Sequence, residues 1–132
     1  MSATDRSAAA LPRNFLRPCV LLLLREQPAH GYELLQRLPP LGFSGSDPGR
    51  LYRMLRALEQ DGKVHSAWSA SSAGPDRRTY AVTRAGLEEL HASVDALAQS
   101  RGALDVFLSR YAEFVDVPAG RQGVASSGVG SR

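Results

Sequence analysis

A chain of 132 residues suffices for one domain with a modest core and is too short for two. Its net charge of +3 and pI near 9.5 are only mildly basic, so an anionic partner must be met by a local cluster of cations. One cysteine excludes an intrachain disulfide framework and fits a reducing compartment. The longest apolar run, Cys19–Leu24, is flanked by Arg17 and Arg25 and is far too short to span a bilayer. No secretory leader pattern precedes it, so a cytoplasmic protein with no membrane partner is expected.

Residues 1–13 are small, polar and rich in Ala and Ser, a composition that predicts disorder. From Asn14 to Gln27 the chain reads NFLRPCVLLLLREQ. A helix is expected from Pro18 to about Glu26, with leucines pointing almost all round, as suits burial on more than one side. Cys19 in this run reads as a small buried hydrophobe. Gln27-Pro28 stops the helix. A short second helix is expected from about His30 to Leu38, with Tyr32, Leu34, Leu35 and Leu38 inward. Pro39-Pro40 ends it, since neither residue donates and each disfavours helix before it.

The stretch SDPGRLYRMLRALEQDG, Ser46 to Gly62, predicts a helix with two unlike faces. Ser46 or Asp47 serves as its cap, Pro48 suits its first turn, and Gly62 suits a left-handed stop. Leu51, Met54, Leu55 and Leu58 gather on one side and demand burial. Arg50, Arg53 and Arg56 gather on the other. Such a face can be merely solvated, but no carboxylate follows at i+3 or i+4 until Glu59, so the arginines repel one another unless an anion arrives. Two helices joined by a Gly-containing turn, the second one basic outside, outline a helix-turn-helix.

After Gly62 the period shifts to two. Val64, Ser66 and Trp68 alternate with their neighbours, as do Arg78, Tyr80 and Val82, and the SSAGPD segment supplies a turn. A two-stranded hairpin is expected, with Arg77 and Arg78 near its tip and Trp68 and Tyr80 covering the core. Thr83 then caps a long helix, about Arg84 to Val115. Leu87, Leu90, Val94, Leu97, Leu104, Leu108 and Tyr111 recur in steps of three and four, a seam that calls for a partner helix. The chain has no second helix of matching length, so the expected partner is its own copy. Arg101 interrupts the seam, either snorkelling or paired with Asp95, Asp105 or a partner acid, and Gly102 weakens the helix locally. Residues 116–132 read as a disordered Gly/Ser-rich tail.

Catalytic and metal chemistry find no support in the sequence. His30, His65 and His91 are isolated, no Cys/His pair stands at ligand spacing, and no phosphate loop or nucleophile motif occurs. No cofactor, metal or enzymatic activity is expected.

The segments PAHGYELLQRL (Pro28–Leu38), DPGRLYRMLRALEQDGKV (Asp47–Val64), PDRRTYAVT (Pro75–Thr83) and TRAGLEEL (Thr83–Leu90) resemble PadR-type transcriptional regulators, in particular short-tailed members. The resemblance covers residues 14–115. It implies a mostly α fold with a small β-hairpin: a winged helix-turn-helix domain over 14–83, then a C-terminal dimerisation helix over 84–115. It also implies a homodimeric repressor of a palindromic DNA operator, released by a small molecule or another signal. Here Asp47 replaces a serine cap, Arg53 replaces a second proline and Arg50 replaces a small polar residue, so operator preference does not carry over.

Groove chemistry suggests that Arg50 and Arg53 reach guanine edges or flanking phosphates and that Tyr52 donates to phosphate. Arg56, Lys63, Arg77 and Arg78 would grip the backbone. Phe15, Phe107, Tyr111 and Phe114 are candidates to line an effector cavity, with ordinary hydrophobic packing as the competing account. The competing function is a winged-helix protein-interaction module that does not touch DNA.

Overall fold

A computed structural model of the chain describes residues 11–43, 47–69, 74 and 77–115. The alternative Ser46 cap, most of the Ser71–Asp76 turn, residues 1–10 and the 116–132 tail lie outside them. The chain divides into two compact units, Met1–Ser93 and Val94–Arg132.

The first unit opens with helix α1, Leu16–Glu26. It starts earlier than the expected Pro18, because the first turn of a helix needs no backbone donors and a proline fits within it. Leu16, Cys19, Val20, Leu21, Leu23 and Leu24 are all buried, so this helix forms the centre of the core. Burial in that apolar setting pushes the Cys19 thiol up to about 11, which keeps it protonated and inert.

Strand β1, Ala29–His30, and helix α2, Gly31–Arg37, follow. The Glu33 carboxylate accepts from the His30 backbone N–H at 3.1 Å, holding the helix start. Arg37 reaches back to donate to the Leu23 carbonyl and to Glu26, tying the end of α1. Leu34 and Leu38 enter the core, but Tyr32, expected inward, is exposed. Two residues along a helix is a rotation of about 200°, so Tyr32 cannot share the face of Leu34. Pro39–Leu41 form a 3-10 turn, and Gly42 follows at φ +102°.

Helix α3, Pro48–Gln60, buries Leu51, Leu55 and Leu58, with Met54 half-buried at the margin. Its start is capped by Asp47, whose Oδ1 accepts from the Arg50 N–H at 3.1 Å. Its end is a Schellman arrangement: Gly62 at φ +75° lets Lys63 N–H reach the Leu58 carbonyl at 2.8 Å and its own N–H reach Glu59 at 3.0 Å.

Strands β2, Val64–Ser69, and β3, Arg77–Val82, form the expected hairpin, but the sheet is three-stranded, in the order β1-β3-β2. Strand β1 pairs antiparallel with β3, Ala29 opposite Tyr80 and His30 opposite Thr79. The sheet thereby ties the start of α2 to the hairpin. Helix α4, Arg84–Ala112, follows. Its cap Thr83 accepts from Gly86 N–H at 3.1 Å and donates to the Gly62 carbonyl at 2.7 Å, so α4 begins docked on the turn that ends α3. It stops at Ala112, short of the expected Val115, where bonds from Glu113 and Phe114 to residues three back tighten the last turn. No helix among the described residues is long and apolar enough to cross a membrane.

Candidate nucleic-acid interface

The periodicity that buries Leu51, Leu55 and Leu58 turns Arg50, Tyr52, Arg53 and Arg56 outward, and all four are exposed. Among the described residues no carboxylate forms an ion pair with Arg50, Arg53 or Arg56. Three cations on one helix face are thus left to solvent or to an anion from outside. Arg50 is steadied from below, its guanidinium 5.7 Å from the centre of the Phe43 ring. Phe43 stacks in turn on Phe15, with ring centres 6.1 Å apart. The structure therefore places Phe15, a candidate for an effector cavity, beneath the start of the basic helix.

On the hairpin, Val64, Ser66 and Trp68 share a face with Arg78, Tyr80 and Val82. Burial falls along that face, from Val64 at 2% exposed to Trp68 at 66%. Trp68 does not cover the core as expected, because the strand continues past the core's edge. Its indole packs against Arg78, the residue opposite it, at 5.4 Å. Arg78 Nε donates to Ser66 Oγ at 2.8 Å, and Ser66 Oγ donates to Glu59 Oε2 of α3 at 2.8 Å. A continuous polar chain thus runs from the basic helix to the hairpin arginine.

Between α2, α3 and the hairpin lies an open groove of about 540 Å³. His30, Tyr32, Tyr52, Trp68, Arg77 and Arg78 line it, with Gly31 and Tyr80 at its floor, and no carboxylate is among these residues. The groove brings the expected Tyr52, Arg77 and Arg78 together and adds His30, Tyr32 and Trp68, which the sequence did not single out for this role. Arg77 Nη1 lies 3.0 Å from His30 Nε2, a contact in which the guanidinium is the donor. A signal for Tyr32 existed in the HGY segment, but it depends on Gly31. Tyr52 lies against that glycine with no room for a side chain between them.

Lys63 is placed differently from the other cations. It is half-buried and 3.8 Å from Glu89 of α4. Glu89 also accepts two hydrogen bonds from Arg17 of α1, which reaches Asp61 at 3.0 Å as well. The Arg17 hydrogen bonds hold the Glu89 carboxyl below its usual range, and those same bonds raise Arg17. Lys63 belongs to a network that fastens α1 and α4 to the end of α3.

Of the seam on α4, Leu90 lies in the core of the first unit and Leu87 is half-buried there. Leu90 is therefore not available to a second helix. In the second unit Val94, Leu104, Leu108 and Tyr111 are exposed and Leu97 is half-buried. Arg101 makes no ion pair among the described residues, and the helix runs unbroken through Gly102. Phe107, Tyr111 and Phe114 border an apolar groove of about 470 Å³ with Ala103, Val106 and Arg110. No cluster of three or more metal-ligating side chains occurs among the described residues.

The profile of the Transcriptional regulator PadR-like family matches residues 20–92, more than half of the chain. The chain belongs to the PadR-like family of transcriptional regulators. A PadR-like regulator from Bacillus cereus is 28% identical, with a TM-score of 0.64 over 70% of this chain and 90% of that one. A PadR-family regulator from Eggerthella lenta is 33% identical, with a TM-score of 0.58 over 70% of this chain and 82% of that one. Bacillus subtilis PadR, solved in complex with operator DNA, is 24% identical, with a TM-score of 0.56 over 64% of this chain and 48% of that one. Comparison with curated proteins finds no match. The PadR-like fold accounts for the architecture, a winged helix with a small sheet and a long C-terminal helix, and PadR-like proteins are regulators, not enzymes.

Proposed function

We propose that this PadR-like chain is a cytoplasmic, homodimeric repressor that binds a palindromic DNA operator and is released by a small-molecule effector. The observation that carries the reading is the face of α3, where Arg50, Arg53 and Arg56 are exposed without an acidic partner among the described residues. Such a face is repulsive alone and favourable against phosphates. Arg50 and Arg53 meet base edges or phosphates in the major groove, Tyr52 donates to phosphate, and Arg56, Arg77 and Arg78 hold the backbone. Bacillus subtilis PadR, a fold relative solved in complex with operator DNA, supports DNA as the partner.

In this reading residues 14–83 form the DNA-binding domain and 84–115 the dimerisation helix. Two copies pair through the seam of Val94, Leu97, Leu104, Leu108 and Tyr111. Pairing sets the two basic helices roughly 10 bp apart, or a near multiple, along the duplex. The apolar groove of Phe107, Tyr111 and Phe114 is the place such a dimer offers an effector.

The test is a mobility shift of the purified chain on duplexes enriched from a random pool, repeated over a salt series. The expected result is a discrete complex whose affinity falls steeply with salt, because phosphate neutralisation releases counterions. A flat salt dependence would replace this reading with a protein-interaction module.

A further inference from the structure

We propose that Trp68 and Arg78 form a ready-made clamp for one sugar–phosphate strand of duplex DNA. The indole lies on a deoxyribose and the guanidinium meets the adjoining phosphate. The proposal rests on the reading that this chain binds DNA and adds to it a contact residue and a way of fixing its geometry.

Trp68 packs on Arg78 but takes no part in the core. It is 66% exposed, on a strand whose core-facing Val64 at the other end is buried. With Tyr32 and Tyr52, also exposed and lining the same groove, it makes an aromatic patch of the kind that marks a contact surface. The surroundings define what could cover it. The groove beside it carries Arg77 and Arg78, offers the aromatic faces of Tyr32 and Tyr52, and has no carboxylate among its lining residues. An occupant must therefore combine negative charge with flat or apolar surface in close succession. A nucleic-acid strand repeats that pairing at every nucleotide, and the strand edge of a duplex presents sugar and phosphate while its bases remain stacked.

Arg78 is already arranged to meet it. Its guanidinium is stacked on the indole at 5.4 Å, and its Nε is engaged by Ser66, which Glu59 of the basic helix holds in turn. The two Nη groups have no partner among the described residues. An arginine held this way loses less freedom on binding than one extended into solvent. Its distance from α3 is set by the Glu59–Ser66 bond, so the hairpin contact and the major-groove contacts stay in register.

Trp68 is the chain's one tryptophan, so indole fluorescence reports on this site alone. The full chain is titrated with a selected duplex and, separately, with benzoate. On DNA binding, the emission is expected to shift to the blue and to become protected from acrylamide. Trp68→Ala should lose about tenfold in affinity with an unchanged salt slope, and Trp68→Phe should stay within about threefold of the parent. Arg78→Ala should reduce the salt slope by about one. The thermal midpoint of Trp68→Ala, unchanged, shows that folding is not the cause. A complex that forms while the indole stays fully quenchable, or a Trp68→Ala variant that binds like the parent, would overturn the clamp. Saturable blue-shifting by benzoate, with no protection of the indole by bound DNA, would assign the groove to small aromatic anions and overturn it as well. A parent chain that shifts no duplex at low salt would overturn the DNA reading itself, and the clamp with it.

Discussion

The Tyr52 phenol lies directly over Gly31, so that a Cβ on the glycine would overlap the ring. Gly31 is not in the left-handed region, so alanine suits its backbone, and the colliding atoms are the far end of a side chain already 45% exposed. Gly31→Ala should therefore displace Tyr52 from the groove without unfolding the domain. The lost contact is offset in part by the better helix propensity of alanine. We expect a stability change within about 1 kcal/mol but a several-fold weaker complex with DNA, read by thermal unfolding and a mobility shift on the same sample.

Gly86 presents the opposite case. A Cβ there would overlap the Lys63 carbonyl oxygen and lie 2.7 Å from Val82 Cγ2. Backbone cannot swing aside, and that carbonyl also accepts from the Thr83 N–H at 3.0 Å. Gly86→Ala must push the start of α4 off the turn that ends α3. A loss of about 2–3 kcal/mol is expected from overpacking, read from denaturant unfolding.

The Arg17–Glu89 pair should give the fold an acid-sensitive component. Glu89 is held below the usual glutamate range, chiefly by the Arg17 hydrogen bonds. A carboxylate depressed in the folded state stabilises it fully at neutral pH, and that stabilisation is lost as pH falls through the folded-state value. Glu89→Gln should cost about 2 kcal/mol at pH 7. On acidification the parent should lose stability faster than the variant, until the two converge once Glu89 is protonated. Parallel curves across the whole acid range would show that the pair contributes nothing specific.

Much of this architecture was legible because it rests on local rules. Asp47, Pro48, Leu51, Leu55, Leu58 and Gly62 each obey a capping or periodic preference, and α3 follows from them. What escaped depends on contacts between distant segments. Strand β1 has two residues, too few to show a period, and is a strand only because β3 pairs with it. The alternation of β2 gives the face of Trp68 but not how far the core extends beneath that face. Lys63 looks like a free cation until Glu89 arrives from α4. Leu90 fits the heptad seam as well as Leu97 does, and only the packing of α4 on the first unit separates them.

Arg53 lies on the exposed face of α3, between Arg50 and Arg56. If it pairs with a base edge, Arg53→Ala should cost about 1–3 kcal/mol in DNA binding and relax preference at one operator position. The measurement is affinity for a panel of operators substituted one base pair at a time. A loss equal across the panel would make Arg53 a phosphate contact.

The exposed seam of α4 makes the oligomeric state the last thing to test. Leu108 is 59% exposed in the isolated chain, which leaves most of its apolar surface to be covered by a partner helix. In a symmetric pair every substitution acts twice. Covering one leucine stabilises by about 1.5–3 kcal/mol, and a buried carboxylate adds a desolvation penalty. Leu108→Glu should therefore weaken self-association by at least about a hundredfold. The first unit should keep its fold, since its core is built from residues up to Leu90. Sedimentation equilibrium at micromolar protein is expected to show a dimer for the parent and a monomer for the variant. The variant should also lose operator binding far more than non-specific binding, because one basic helix per molecule cannot read two half-sites at once. A dimer that survives Leu108→Glu would place the contact elsewhere.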